Sequence, residues 1–548
     1  MRVRFAPRHL AILCLFTGLW GLTVSISAAD AEQTHDVSEV TSAEEALKTG
    51  EQLETNRQWV EAIQFYQDSL KRWENDESLT YALRRTRIHF GIDRRYIDQS
   101  FSARLLQLGR AEALDLFEDI LTRVQFEYVD NVSVTKFVSH GTESLYMALG
   151  NSRFVKQNLP QADAGKIENV RRTLVREFWN QRVDTRIEAR SLITQICELC
   201  QREVGLNSSA IVLEYIFGGC NALDEYSIML TPDRYNDLFG SIQGELVGIG
   251  IEMKGEKGRG MHLVRVLMDS PAEAGGLLPD DYIVRIDGVD CRDLSTDDAA
   301  RLLRGNSGST VRLHWETPTG EIRDADFTRR RVQIHSITKA ELLDEQEGIG
   351  YIRMEGFQSS TTDELDEALR RLERRGMRAL VWDLRGNPGG LLETAAAVLD
   401  RFVSDGVLVS TKGRSPDQNQ VFRAHGYNTR NYPLVLIVDE DSASASEIVA
   451  GAIHDHHRGT IVGRKTYGKW SVQSIIHLPG ETGLKLTTAR FYSPDDQNYA
   501  GKGLRPDIEV PRPKDQRTAG FRGESLLTDP DIDQAFEILR TRLSKSTP

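Results

Sequence analysis

Between residues 348 and 510 the sequence alternates strand-like apolar runs with helix-like runs, and this alternation constrains the fold more than any other feature. Residues 379–384 and 434–438 are short and largely apolar, which is typical of strands that are buried on both faces. Small or polar turn residues follow each run, and a helical pattern comes next. Because strands that alternate with helices assemble into layered sheets, this segment predicts an α/β domain.

A serine-rich turn lies between the second of these strands and the helix that follows it. Its sequence, Asp441-Ser-Ala-Ser444-Ala-Ser-Glu447, places Ser444 at the start of the helix. A helix N-terminus offers unpaired N–H groups to a negatively charged oxygen, so a serine at this position suits nucleophilic catalysis. The same residues also fit a capping box, in which Ser444 and Glu447 only stabilise the helix start. On this segment alone the capping box is the favoured interpretation.

Two other turns favour catalysis. Gly390 ends a glycine-rich turn from strand to helix, where its N–H group can serve as a second donor to an oxyanion. Lys469 lies in a turn after the strand predicted at residues 460–463. Burial can lower the pKa of a lysine by several units, and the neutral amine can then deprotonate a serine. No histidine is placed comparably, and we interpret His454 and His456 as a solvated helix end, so we expect no metal site and no cofactor.

Two other enzyme classes fit parts of the sequence but fail on detail. Residues 463–469 match the phosphate-binding pattern G-x-x-x-x-G-K, but Trp470 replaces the serine or threonine that binds magnesium. The residues after Trp470 also alternate like a strand, whereas that motif requires a helix. Residues 336–339 match S-x-x-K and residues 48–50 match K-T-G, but in penicillin-binding enzymes K-T-G comes last. We treat both sets of matches as chance.

Residues 248–332 change to short strands separated by turns, and this segment resembles a bacterial PDZ domain over nearly its full length. Its first strand begins with Gly248, Ile249, Gly250 and Ile251. A glycine-rich loop exposes N–H groups that can bind a terminal carboxylate, and the adjacent strand edge can accept a peptide. A single Gly-x-Gly would indicate only a turn, but within the whole pattern these residues are the candidate peptide-binding site.

Residues 43–88 have a helical periodicity similar to that of tetratricopeptide repeats, with Ala46 and Gly50 preceding Trp59, Ala62 and Tyr66. We predict a tetratricopeptide-like region at residues 30–100 and a further helical region at 101–238. Stable repeat arrays need about three repeats. The region is therefore either a structural helical hairpin or a surface for a protein partner, and the sequence leaves both open.

The first 29 residues have the pattern of an export signal. Arg2, Arg4 and Arg8 precede an apolar run at residues 10–26, and small residues follow at 27–29. We expect cleavage and a periplasmic product. An uncleaved anchor that holds the protein at a membrane is the alternative, because a run of about 17 residues lies at the lower limit for a membrane span.

Length, charge and cysteine content exclude several other classes of protein. A chain of 548 residues is too long for one core, and 40% hydrophobic with 27% charged residues indicates a folded protein. The net charge of -13 and the lack of a basic stripe argue against a nucleic-acid partner. The pair Cys197 and Cys200 lacks the second C-x-x-C of a zinc site, so it either faces a core or forms a disulfide.

Four motifs in fixed order make residues 348–510, together with the PDZ-like segment, closely resemble the C-terminal processing (tail-specific) peptidases. The motifs are Asp383-Leu-Arg-Gly-Asn-Pro-Gly-Gly390, Ser442-Ala-Ser-Ala-Ser-Glu447, Gly468-Lys469-x-x-Val-Gln473 and Gly501-x-Gly-Leu-Arg-Pro-Asp507. A segment that we predict to be helical, Leu223-Asp-Glu-Tyr-Ser227, also looks like this family. Several ordered motifs are far more specific than any one of them.

The resemblance implies a serine endopeptidase that cleaves protein substrates near their C-termini and whose PDZ domain binds their free tails. Ser444 would be the nucleophile, Lys469 the general base and Gln473 the residue that orients the lysine. The backbone N–H groups of Gly390 and Ala445 would form the oxyanion hole.

The resemblance also implies the fold class. We expect an α/β protein whose ClpP/crotonase-like catalytic core occupies residues 334–512, with an inserted PDZ-like β domain at 239–333 and an N-terminal all-α region. A polar tail at residues 513–548 is predicted to end in one helix.

The sequence departs from the family at two positions in the site. Trp470 replaces the small residue that usually follows the lysine, which predicts a narrower cleft, and Asp439 stands where asparagine is common. Asp455 matches an acidic position to which we assign no role. The competing function is a non-catalytic scaffold or chaperone built from the PDZ and helical regions, but that function predicts a degraded Ser-Lys pair, and here the pair is intact.

Overall fold

The computed structural model describes residues 10–12, 40–511 and 529–545. The predicted export signal therefore lies outside the described residues, except for the short strand β1 (Leu10–Ile12). Within the described ranges, no helix combines the length and the apolar character needed to cross a membrane.

After β1, the described chain is mainly helical up to residue 220. Its helices are α1 (Ala43–Thr55), α2 (Trp59–Arg72), α3 (Glu77–Ile97), α4 (Arg110–Glu127), α5 (Val134–Ala148), α6 (Ser152–Asn158), α7 (Ala164–Thr173), α8 (Arg186–Val204) and α9 (Ser208–Cys220). Small residues let α1 approach α2, since a Cβ atom on Gly50 would lie 2.2 Å from the ring of Tyr66. These two helices and α3 share a small apolar core of their own.

The cysteines of this region are buried and unbonded. Cys197 and Cys200 face the apolar core formed by α4 to α9, and Cys220 lies in the same core. The C-x-x-C pair is therefore a pair of core-facing thiols and not a disulfide.

The PDZ-like segment is a small antiparallel sheet that follows β2 (Ile228–Leu230) and α10 (Pro232–Gln243). Its elements are β3 (Glu245–Gly248), β4 (Ile251–Glu256), β5 (Gly260–Val266), α11 (Pro271–Ala274), β6 (Tyr282–Ile286), β7 (Val289–Asp290), α12 (Thr296–Leu303), β8 (Thr310–Glu316), β9 (Ile322–Thr328) and β10 (Arg330–Gln333). The strand order is β4-β5-β6-β8-β9, and β3 pairs separately with β10. Strand β4 therefore lies at an edge of the sheet.

The predicted α/β domain contains two sheets. Its elements are β11 (Ile337–Asp344), β12 (Ile349–Met354), α13 (Thr361–Arg374), β13 (Ala379–Asp383), α14 (Leu392–Leu399), β14 (Val407–Gly413), β15 (Val421–Arg423), β16 (Leu434–Val438), α15 (Ala445–Asp455), β17 (Thr460–Gly463), β18 (Ser471–Leu478), β19 (Thr482–Tyr492) and β20 (Ile508–Glu509). The first sheet has the order β11-β12-β13-β16-β17-β20 and is parallel except at β11. The second has the order β1-β18-β19-β14-β15, with β2 also pairing with β19.

These sheets and helices form layers. Helices α13, α14 and α15 share one apolar core with the parallel sheet and with part of the second sheet. The last helix, α16 (Pro530–Lys545), covers the opposite face of the parallel sheet. The second sheet also contacts the core of α4 to α9, through residues such as Ile476 and Leu484. Because parallel strands end at one edge of their sheet, the loops after β13, β16 and β17 lie side by side.

Candidate active site

Ser444 lies at the turn between β16 and α15, where the backbone is strained. Its φ of 61° and ψ of -113° lie in a region that non-glycine residues rarely adopt, and the residue is fully buried. Its Oγ atom has no hydrogen-bond partner among the described residues. Only half of the alternative capping box is present: the Glu447 carboxylate accepts the Ser444 N–H at 3.0 Å, but the Ser444 hydroxyl caps nothing.

Gly390 and Ala445 bring two backbone N–H groups to this turn. A Cβ atom on Gly389 would lie 2.8 Å from both the Cβ atom of Ser444 and the N atom of Ala445, so only glycine permits this approach. Gly390 forms an isolated parallel bridge with Phe357. In the part of the chain that the structure describes, neither the Gly390 nor the Ala445 N–H donates a hydrogen bond. Both therefore remain available to an oxyanion beside Ser444.

Backbone and side-chain hydrogen bonds hold the loop of Gly390 against the loop of Ser444. The backbone carbonyl of Asn387 accepts the Ala443 N–H at 3.0 Å and the Ser446 hydroxyl at 2.9 Å. Asp439, the departure from asparagine, accepts the Gly386 N–H at 2.9 Å through Oδ1, and the same atom accepts two N–H groups of its own turn. Since an asparagine Oδ1 accepts hydrogen bonds equally well, this substitution preserves the contacts.

Lys469 lies in the loop between β17 and β18 and is 3% exposed. Its Nζ atom is 4.4 Å from the centre of the Tyr226 ring. We predicted residues 223–227 to be helical, and this was wrong: they form a turn after α9. That turn is fixed to β19, because the Ser227 hydroxyl accepts the Thr487 N–H at 3.0 Å. The turn, unlike a continued helix, lets Tyr226 lie over the lysine.

One buried carboxylate joins the loop of Lys469 to the turn of Ser444. Glu447 Oε2 accepts the N–H groups of Ser444 at 3.0 Å and of Lys469 at 2.7 Å. Its Oε1 accepts three more hydrogen bonds, from Thr466 Oγ1 at 2.7 Å, the Gly468 N–H at 2.8 Å and Trp470 Nε1 at 3.1 Å. Burial raises the pKa of Glu447, although the hydrogen bonds to it act in the opposite direction. In the sequence, Glu447 belongs to a capping-box pattern and ends one of the four family motifs, but neither signal indicated the link to Lys469.

Trp470 does not narrow a cleft, contrary to our prediction. The residue is 1% exposed, so its side chain has almost no surface to present to a substrate. Its ring stacks on Phe491 with the ring centres 4.6 Å apart, while its Nε1 donates to Glu447. On α15, a Cβ atom at Gly451 would lie 3.1 Å from the indole, so this glycine makes room for it. Trp470 therefore supports the site from within the core.

Gln473 lies near the start of β18, in the same sheet as Thr487. Its Nε2 donates to Ser471 Oγ at 2.9 Å and to Thr487 Oγ1 at 3.2 Å. Its Oε1 is buried and has no hydrogen-bond partner among the described residues. The short strand β1 pairs with the backbone here, with Ile12 opposite Gln473. The amide is thus held in place with one acceptor atom unused.

The histidine cluster is separate from this site. His454 contacts Asp455 at 2.8 Å, and the Asp455 carboxylate also accepts the Asp495 N–H at 3.0 Å. His456 bonds to the Val407 carbonyl at 2.7 Å. Across the described ranges, no group of three or more histidine, cysteine or acidic side chains is arranged to hold a metal ion.

The four candidate peptide-binding residues lie at the edge of the PDZ-like sheet. Gly248 ends β3, Ile251 begins β4, and Gly250 between them has a φ of 83°. Ile249 is buried in the core of the domain, and Gly248 and Gly250 are buried as well. Within the described part of the chain, the N–H groups of Ile249 and Gly250 donate no hydrogen bond. Two N–H groups of this buried loop, next to an edge strand, therefore have no acceptor among the described residues.

Comparison with known proteins identifies two regions of the chain. Residues 348–510 match Peptidase family S41, and residues 263–317 match the PDZ domain. A carboxyl-terminal-processing protease of Picosynechococcus sp. is 34% identical over 320 residues, which cover 58% of this chain and 76% of that protein. A carboxy-terminal-processing protease of Bartonella bacilliformis is 35% identical over 317 residues, covering 56% of this chain and 71% of that protein. Among solved structures, a photosystem II D1 C-terminal processing protease is 25% identical with a TM-score of 0.38, covering 74% of this chain and 95% of that one.

Proposed function

This chain belongs to the carboxyl-terminal-processing proteases, which are serine-type peptidases, and we propose that it cleaves protein substrates near their C-termini through Ser444 and Lys469. The observation that carries this proposal is the Ser444 hydroxyl, which is buried, lacks a hydrogen-bond partner among the described residues, and lies beside two available N–H groups. A structural serine in such a place would be expected to use its hydroxyl as a cap.

Ser444 acts as the nucleophile. Its Oγ attacks the carbonyl carbon of the scissile bond, and its proton passes to Nζ of Lys469. The resulting oxyanion accepts hydrogen bonds from the N–H groups of Gly390 and Ala445, at the N-terminus of α15. The tetrahedral intermediate collapses, Lys469 returns the proton to the leaving amine, and water then hydrolyses the acyl-enzyme by the same route.

Lys469 acts as the base in its neutral form. Its near-complete burial takes the amine out of water, and an ammonium charge is costly to bury. Gln473 orients the lysine, a role that its unused Oε1 acceptor supports. The Glu447 carboxylate, bonded to the backbone N–H of both Ser444 and Lys469, fixes the distance between their loops.

The PDZ domain captures substrate tails. Gly248, Ile249, Gly250 and Ile251 bind the terminal carboxylate, and the tail adds to the edge of β4 as an extra strand. The two N–H groups of this loop that donate no bond, together with the edge position of β4, support this assignment. The substrates are thus proteins with a free C-terminus, and the N-terminal helices can present a further surface to a protein partner.

The remaining proposals concern organisation and location. The parallel sheet flanked by helices supports a ClpP/crotonase-like core. We assign the chain as an export signal (1–29), a tetratricopeptide-like region (30–100), a helical region (101–238), a PDZ domain (239–333), a catalytic domain (334–512) and a tail (513–548). Export to the periplasm follows from the signal, and membrane association follows if the signal is retained.

Replacing Ser444 tests this function directly. In Ser444→Ala, the rate at which an unfolded protein with a free apolar tail is hydrolysed should fall by about a thousandfold or more, because the attacking oxygen is lost. The substitution removes no other atom, so the fold should be unchanged. Ser404→Ala, an exposed serine in the same domain, serves as the control and should keep full activity. Hydrolysis by purified Ser444→Ala at the rate of the control would refute the assignment.

A further inference from the structure

The C-terminal helix α16 lies beyond residues 348–510, the segment that matches the peptidase family. Most of its contact with the catalytic domain is apolar: Ile532, Ala535 and Leu539 are buried against the outer face of the parallel sheet. Its first turn is different, because it carries carboxylates into the protein. Asp531 is only 2% exposed.

Asp531 bridges two arginines. Its Oδ2 accepts a hydrogen bond from Nη1 of Arg385 at 2.8 Å, and its Oδ1 accepts one from Nη1 of Arg464 at 2.9 Å. The Arg385 side chain is itself 3% exposed. Asp529 reaches Arg385 as well, at 2.8 Å, and also caps the helix by accepting the Asp531 N–H at 3.0 Å.

The two arginines lie at the start of the loops that lead to Gly390 and to Lys469. Arg385 follows β13 and opens the loop that ends at Gly390, and it is held from the other side by Asp383 at 2.7 Å. Arg464 follows β17 and opens the loop that leads to Lys469. Through its Nε, Arg464 also binds the Glu440 carboxylate at 3.0 Å.

Glu440 extends the contact to the third loop, because it lies in the turn between β16 and Ser444. One carboxylate of α16 is therefore bonded, directly or through one arginine, to the loops of the nucleophile, the base and an oxyanion donor. These loops come from three different strands, and their relative positions decide whether the reacting groups align.

We propose that Asp531 is a positioning residue of the active site, and that α16 completes the catalytic domain by fixing Arg385 and Arg464. This inference rests on the proposed roles of Ser444 and Lys469. Covering an apolar sheet requires only the apolar face of the helix. Burying a carboxylate between two arginines costs desolvation free energy, so the bridge is not needed simply to cover the sheet. Here the bridge joins loops whose misplacement by about 1 Å can cost a hundredfold in rate.

The variant Asp531→Asn tests the proposal, since it keeps the shape of the side chain and removes its charge. We expect kcat to fall about tenfold or more while KM changes less than about twofold, because the PDZ domain still binds the substrate tail. The control is Asp533→Asn, an exposed aspartate in the same helical turn, which should leave both constants unchanged. Rates are measured well below the thermal midpoint of each variant, so that unfolding does not contribute.

Two further measurements separate positioning from stability and from the proposed function. In a double-mutant cycle, Asp531→Asn with Arg464→Gln should lose no more activity than the worse single variant, because both break the same bridge. If Asp531→Asn does not fold, Asp529→Asn replaces it, because asparagine remains a good helix cap but loses the charge that binds Arg385. We then expect kcat to fall about threefold with KM unchanged.

Labelling of Ser444 by a fluorophosphonate in the wild-type protein is measured in parallel. If the wild type is labelled at Ser444 and the folded Asp531→Asn or Asp529→Asn variant keeps the kcat of Asp533→Asn, the inference about α16 is wrong. Full activity in the folded Ser444→Ala variant overturns the proposed function itself, and the inference with it.

Discussion

At the scale of single residues, the site depends on buried polar groups that have few alternative hydrogen-bond partners nearby. Ser444 and Lys469 are both buried, and the same oxygen of Glu447 accepts the backbone N–H of each. A buried carboxylate with this many donors cannot move without leaving several of them unsatisfied, at about 1–3 kcal/mol for each. The proposed nucleophile and the proposed base are therefore held in place by the same carboxylate.

For Lys469 we predict that a charge-preserving substitution is as damaging as truncation. Arginine stays protonated at every accessible pH, so Lys469→Arg should lose nearly as much activity as Lys469→Ala, about a thousandfold. Steady-state kinetics with a peptide substrate provide the measurement. Substantial activity in Lys469→Arg would mean that the positive charge, and not proton transfer, is required.

For Glu447 we predict that removing the charge disturbs both loops. Glu447→Gln replaces one acceptor oxygen by an NH₂ group, which faces donors that the carboxylate now accepts. We expect kcat/KM to fall about a hundredfold and the free energy of unfolding to fall by about 2–4 kcal/mol. Glu393→Gln, at an exposed first-turn glutamate of α14, is the matched control for kinetics and denaturant unfolding. Activity of Glu447→Gln within threefold of the control would contradict this account.

At the scale of elements, the sequence predicted best where a pattern is local. The buried strands β13 and β16, the turn at Ser444 and the glycine-rich turn at Gly390 each follow from a few neighbouring residues. The contact of Tyr226 with Lys469 and the bridge made by Asp531 join residues far apart in the chain, so no local pattern indicates them. The direction of the Trp470 side chain could not be predicted either, because it depends on the space left by Gly451.

The edge strand β4 and the loop before it carry a prediction about substrate choice. Amidation of a substrate C-terminus removes the charge that the N–H groups of Ile249 and Gly250 would bind. Below saturation, an amidated peptide should be cleaved about tenfold more slowly than the matched peptide with a free carboxylate, and it should bind more weakly to the Ser444→Ala protein. Equal binding and equal cleavage of the two peptides would exclude carboxylate recognition.

At the scale of the whole molecule, charged side chains connect the PDZ domain to the catalytic loops. Arg265 on β5 donates to Glu355 at 2.7 Å, and Glu355 accepts from Arg353 at 3.0 Å. Arg353 then contacts Asp383 at 3.4 Å, next to the loop of Gly390. Burial alone would raise the pKa of Asp383, but Arg385 and Arg353 outweigh it and hold that pKa below its usual range. The pairs thus stay ionised, and they form a continuous series of charged contacts from the PDZ domain to the loop of Gly390.

We predict that Arg265→Met weakens this coupling without weakening tail capture. The kcat for tailed substrates should fall by roughly threefold to thirtyfold, while the affinity for a free C-terminal peptide stays the same in a Ser444→Ala background. Arg323→Met, at a more exposed arginine of β9 in the same domain, is the control. An unchanged kcat in Arg265→Met would leave the PDZ domain as a tether with no influence on the chemistry.

The most direct test of the central claim is to identify the residue that a serine-reactive fluorophosphonate modifies in the active protein, by mass spectrometry of its peptides. The account predicts one adduct, on Ser444, that forms at the rate at which activity is lost and is strongly slowed in Lys469→Ala. Complete inactivation with the adduct on another residue, or full peptidase activity after every Ser444 has been modified, would contradict it.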